Sequence, residues 1–165
     1  WSTVRLPYGN GSYSMYALLP HEGISVDAVV EGLDGATWEI EKNRMRSCIV
    51  DLKLPRFETA SDINLVDIMI SLGMERAFIP EMAEFGEMFE NESEIFLGIL
   101  KQKTKIIVNE EGTEAAGVTM GGSMATEFIP ENKPKTFHAD RPFVYLIQEK
   151  SSNAIFFIGA KVKAE

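Results

Sequence analysis

Val4 and Leu6 lead into Pro7 and the turn YGNGS (8–12), after which YSMYALLP (13–20) resumes as a nearly continuous apolar run. Apolar stretches on either side of a Gly- and Asn-containing turn predict a β-hairpin, with both arms well buried. The zone ISVDAVVEGLDGATWEIEKNR (24–44) is helical in pattern but interrupted by Gly32 and Gly35, which predicts two short helices. In SCIVDLKLPRF (47–57) the apolar Ile49, Leu52 and Leu54 stand beside Asp51 and Lys53, and Pro55 then limits pairing, so this reads as a strand that changes course. Ser61 can cap a helix over DINLVDIMISL (62–72), with Ile63, Val66, Met69 and Ile70 on one face and Gly73 as the left-handed stop. After an acidic connection (80–93), IFLGILKQKTKIIV (95–108) predicts one long strand. FVYLIQE (143–149) and AIFFIGAKV (154–162), separated by KSSN, predict a second hairpin whose arms are covered on both faces. The class is α+β, with strands dominating the second half.

Composition narrows what such a chain can do. With 165 residues, 45% apolar and 25% charged, it has the side chains to build a core, which argues against disorder. No apolar run approaches the roughly 20 residues of a spanning helix, so no membrane partner is expected. Trp1 is not a natural start, and the chain reads as a piece cut from something longer. A net charge of −9 without a basic cluster argues against nucleic acid, whose phosphates need Lys and Arg gathered on one face. Cys48 is the only cysteine, so neither an internal disulfide nor a cysteine-based metal site can form. There are two histidines, His21 and His138, and no metal-ligand or phosphate-loop spacing, so no metal and no cofactor are expected.

The run VNEEGTEAAGVTMGGSMATEF (108–128) is too polar for core and too free of charge for a solvated linker. Within it, GGSMA places Ser123 where a nucleophile elbow would, with His138 and Asp140 downstream. That elbow needs a buried strand before the serine and a second glycine where this chain has Ala125, so a serine hydrolase is the weaker reading.

EEGTEAAG (110–117), set after a long strand and ahead of DRPF (140–143), resembles the hinge and reactive-centre loop of the serpins, the serine protease inhibitor family. LPYGNGSYSMYALLP (6–20), LPRF (54–57), LVDIMISLGMERAF (65–78) and FVYLIQEKSSNAIFFIGAKV (143–162) agree in order and spacing, so the resemblance covers essentially the whole chain. It implies the C-terminal part of a single serpin domain over 1–165: strands of the central sheet and of the C-terminal barrel-like sheets, a few short helices, and a hinge and reactive loop over 110–136. Two departures bear on packing. Glu84 stands where the family has aspartate, and the tail KVKAE lacks the Asn-Pro ending.

The resemblance also implies a mechanism and a non-enzymatic role. The loop is bait, cleaved near its C-terminal end by a protease, after which the freed arm enters the central sheet as a strand while the protease is still acyl-linked; serpin insertion is itself a standard example of strand addition and of strain released by proteolysis. The implied hinge is Glu110, Glu111, Gly112, Thr113, Glu114, Ala115, Ala116 and Gly117. Counting as the family counts, the reactive bond joins Thr126 and Glu127, with Met124 and Ala125 as near alternatives and Phe128 as a longer-loop option. A strand entering a sheet needs one small, uncharged face, and side chains alternate. Odd positions from Thr113 to Ser123 meet this. Even positions include Glu114, whose unpaired burial costs more than exposing Val118, Met120 and Met124. No Lys or Arg occurs from 106 to 132, which directs the expectation to elastase-like or subtilisin-like proteases, a serine protease or else a cysteine protease being the partner. A non-inhibitory serpin, acting as a chaperone or small-molecule carrier, is the alternative. Secreted or cell-surface placement follows from the resemblance alone. The segment by itself is expected not to inhibit, and its loop is expected to pair with the 95–109 strand, with an N-terminal serpin fragment, or by loop-mediated self-association.

Overall fold

A computed structural model describes residues 1–88, 95–110, 112–113 and 134–162. The first hairpin forms as expected from β1 (Ser2–Tyr8) and β2 (Tyr13–Leu19), paired antiparallel from Ser2↔Leu19 to Tyr8↔Tyr13. Gly9 and Gly11 take positive φ in its turn, where a side chain would be strained. Two helices follow, α1 (Val26–Gly32) and α2 (Gly35–Arg44). Ser25 Oγ accepts from the Ala28 N–H at 3.1 Å and Asp34 Oδ1 from the Thr37 N–H at 2.7 Å, so each helix has its own cap and the pattern breaks between them. β3 (Val50–Lys53) ends ahead of Pro55, again as expected.

The next segment departs from the sequence pattern. Residues Phe57–Asn64 form a strand, β4, and Ser61 caps nothing: its hydroxyl lies 2.5 Å from Thr104 Oγ1. The helix, α3 (Val66–Ser71), is only six residues long, with Asn64 Oδ1 accepting from the Val66 N–H, and Ile63 is not on it. The cause is the neighbouring strand β5 (Lys101–Asn109), which pairs with β4 and meets it in the ion pairs Glu58–Lys105 (2.9 Å) and Asp62–Lys103 (3.1 Å). Cross-strand pairing outweighs the local capping signal. Gly73 does supply the left-handed stop, at φ 94°. The expected long strand is shorter than its β-branched content implied: residues 95–100 are irregular, held by Leu97 N–H to Ala77 O and by Leu65 N–H to Leu100 O.

β6 (Gly112–Thr113), β7 (Lys135–His138), β8 (Phe143–Glu149) and β9 (Ile155–Lys161) complete the chain. The four-stranded sheet runs β1-β2-β8-β9, antiparallel throughout. This order corrects two burial expectations. β2 and β8 are interior strands and are buried along nearly their whole length, because Val29 and Trp38 on one face and Phe57 on the other stand over them, whereas β1 is half covered and β9, at the far edge, leaves Ile155, Phe156, Phe157 and Ile158 exposed. Glu149 closes the β8–β9 turn, accepting from the hydroxyl and N–H of both Ser151 and Ser152. These bonds, the Ser152 hydroxyl first, depress its carboxyl to about 2.

Two compact units result, Trp1–Phe57 with Ile107–Glu165, and Glu58–Ile106. The core of the first lies on both faces of its sheet. On one face Tyr16, Leu18, Val144 and Leu146 pack with Val29 of α1 and Trp38 of α2, the Tyr16 and Trp38 rings meeting edge to face at 4.9 Å. Trp38 Nε1 donates to Gln148 Oε1 at 3.4 Å, so the indole is buried with a partner. On the other face Phe57 contacts Phe143 (5.7 Å between centroids) and Tyr145 (5.1 Å). The alternation along β8 sends successive residues to the two layers. In the second unit α3 buries no residue, and Ile68, Ile70 and Leu72 are exposed.

Candidate functional site

The loop singled out by its composition starts and ends on short strands. At its start, β6 turns back on the end of β5 as an antiparallel pair, with Val108↔Thr113 and Asn109↔Gly112 as register partners. Val108 is buried and Asn109 exposed. At its end, β7 lies parallel to β3, from Val50↔Lys135 to Lys53↔His138, extended by the Lys135 N–H to Ile49 O and the Ala139 N–H to Lys53 O. Of the expected hinge residues, Glu110, Gly112 and Thr113 are placed. Glu111, Glu114, Ala115, Ala116 and Gly117, the expected reactive bond Thr126–Glu127 and its alternatives Met124, Ala125 and Phe128 lie outside the described residues, as does the remainder of the expected loop ladder.

Glu110 is held by a residue that sequence reasoning missed. Its Oε1 accepts from Arg56 Nε at 2.5 Å, joining the residue before β4 to the residue after β5. The Arg56 hydrogen bond holds the Glu110 carboxyl below the usual carboxylate range. Both side chains are mostly exposed, so the pair acts by fixing where the turn begins rather than by adding much stability. Because the carboxyl is lowered in the folded chain, whatever the bridge contributes is present above the unfolded value and is lost as pH falls through the folded one. Arg56→Gln is expected to raise the Glu110 titration midpoint, read from its carboxyl carbon by NMR. An unchanged midpoint would mean that the bridge does not form in solution.

His138 and Asp140, the described residues of the hydrolase reading, each engage another partner. His138 Nε2 lies 2.8 Å from Asp51 Oδ2, on β3, whereas Asp140 engages Arg141 Nη1 at 2.9 Å. Arg141 Nε also donates to Pro20 O. The imidazole's carboxylate partner is thus 87 residues away in sequence, and Asp140, two residues on, is turned to another charge. Ser123 lies outside the described residues. Among the described residues no group of His, Cys, Asp and Glu is arranged to hold a metal, and no helix is long and apolar enough to cross a membrane.

The family model for "Serpin (serine protease inhibitor)" matches residues 1–164. The chain is a serpin. It is 36% identical to human plasminogen activator inhibitor 2 over 162 residues, which is 94% of this chain and 38% of that protein. Among solved structures, the native state of tengpin, a thermophilic serpin, superposes with a TM-score of 0.78 at 30% identity, covering 98% of this chain and 45% of that one. Native protease nexin-1 with heparin superposes at 0.83 and 25% identity, over 98% of this chain and 41% of that one. The chain thus has the serpin fold and spans about two-fifths of the length of the curated relative. Glu84 forms an ion pair with Arg76.

Proposed function

We propose that this segment carries the reactive loop of an inhibitory serpin, residues 110–136, and that the loop works by cleavage and strand insertion against elastase-like or subtilisin-like serine proteases. The observation that carries the reading is the β5–β6 register. Thr113 is the ladder partner of buried Val108, and directly opposed residues in an antiparallel pair share a face. Continued along the loop, that register would bring Thr113, Ala115, Gly117, Thr119, Gly121 and Ser123 to the covered face and leave Glu114 on the other. Each member of the first set is small and uncharged. The loop would therefore extend a ladder whose first two pairs exist, supported at its base by the Arg56–Glu110 bridge and at its far end by β7 on β3. In this reading the bond attacked is Thr126–Glu127, with Met124, Ala125 and Phe128 as the alternatives. The chain supplies the bait and no catalytic group.

The test uses a full-length serpin that contains this segment, incubated with pancreatic elastase, with subtilisin and with trypsin. An SDS-stable complex with one of the first two is expected, and mass spectrometry of the released peptide should place the cut between residues 124 and 128. A cut after Lys133 or Lys135 together with trypsin inhibition would overturn the target class. Loop cleavage without a complex and without a gain in thermal stability would overturn inhibition itself and move the protein to the carrier or chaperone class.

A further inference from the structure

A cavity of about 300 Å³ opens beside β1, between Thr3, Val4 and Arg5 on one side and the segment from Met45 to Val50 that follows α2 on the other. We propose that it binds a small organic anion, a carboxylate carried on a short apolar body. The charge of the wall comes first. Arg5 and Arg46 both line the cavity, no acidic residue does, and neither arginine forms an ion pair among the described residues. In a chain of net charge −9, two guanidinium groups left without carboxylates around one opening form a local site of opposite sign.

Both arginines are also positioned by contacts that leave donors over. Arg5 gives its Nε to Ser14 Oγ at 3.0 Å and lies over the Tyr16 ring, and Arg46 uses Nη1 for the carbonyls of Asn43 and Met45. A guanidinium has five N–H donors in a fixed fork, so each retains the means to hold a carboxylate. Val4, Met45 and Val50 supply apolar wall, and the volume is at the small end of ligand pockets, which run from ~300 to ~1,000 Å³. Bare phosphate would leave that apolar surface unused, whereas an aryl or short alkyl carboxylate would cover it.

Cys48, the only cysteine, is exposed and lines the same cavity, so it reports occupancy. The rate of its alkylation by iodoacetamide is measured by mass spectrometry on the 165-residue chain with increasing indole-3-acetate, and separately with the uncharged indole-3-acetamide. The acid should slow alkylation saturably, and the amide should need about tenfold more to do so. Arg46→Gln and Arg5→Gln should each weaken protection by about tenfold, since each removes a charge-assisted hydrogen bond. Arg5→Gln keeps the test valid if Arg46→Gln, which also frees two carbonyls, alters the 43–48 segment. Lys101→Gln, on β5, should protect as the unchanged chain does. Equal protection by acid and amide, no saturable protection, or undiminished protection in Arg5→Gln would each overturn the proposal.

Discussion

Replacing Thr113 by arginine is expected to turn a full-length serpin carrying this segment from a protease inhibitor into a protease substrate. Thr113 pairs with Val108, which is buried, so an arginine there would be carried onto the covered face as the loop enters the sheet. Burying an unpaired charge costs several kcal/mol, and each ~1.4 kcal/mol added to the insertion barrier slows that step about tenfold. Deacylation would then overtake insertion. The expected result is a rise of about tenfold or more in the stoichiometry of inhibition, with cleaved serpin replacing the SDS-stable complex. Glu114→Arg, one position on and on the opposite face, is the parity control and should still trap the protease. If Thr113→Arg inhibits with unchanged stoichiometry, or if the two variants behave alike, the register drawn from the first two pairs does not continue.

Gly159→Ala is expected to destabilise the first unit by about 1–3 kcal/mol, through overpacking at a site with no room for a methyl group. Gly159 on β9 is the register partner of Tyr145 on β8, and a Cβ there would lie 2.6 Å from the tyrosine oxygen and 2.7 Å from Cζ. Tyr145 cannot swing aside freely, because it is 3% exposed and its other side rests on Phe57. Urea denaturation of the segment reads the change as a lower midpoint with an unchanged slope. The double variant with Tyr145→Val should show Gly159→Ala costing much less than it does alone, since the clash is with the ring. Equal costs in both backgrounds would place the effect in the backbone of β9 instead.

The parts of this protein that could be read from its residues are those whose signal is local. The turn YGNGS, the glycines at 32 and 35 and the left-handed Gly73 act within a few residues of themselves, and each hairpin and helix break they predict is present. The motif EEGTEAAG and its ordered companions were enough to name the family, because a motif is also a local property. What failed was what depends on neighbours. Residues 57–64 carry a capping serine before an apolar run, yet they form β4, because Lys103, Lys105 and Thr104 on β5 supply the partners for Asp62, Glu58 and Ser61. β8 and β9 have the same apolar character, yet one is buried and the other exposed, since Val29, Trp38 and Phe57 stand over β8. The same holds for the candidate site. Arg56 reaches Glu110 across 54 residues and Asp51 reaches His138 across 87, separations at which no periodicity survives. Sequence therefore determined the first hairpin, the break between the two helices, the stop at Gly73 and the family. Only the tertiary structure decided which charges meet and which strand faces solvent, because these are properties of pairs brought together by folding.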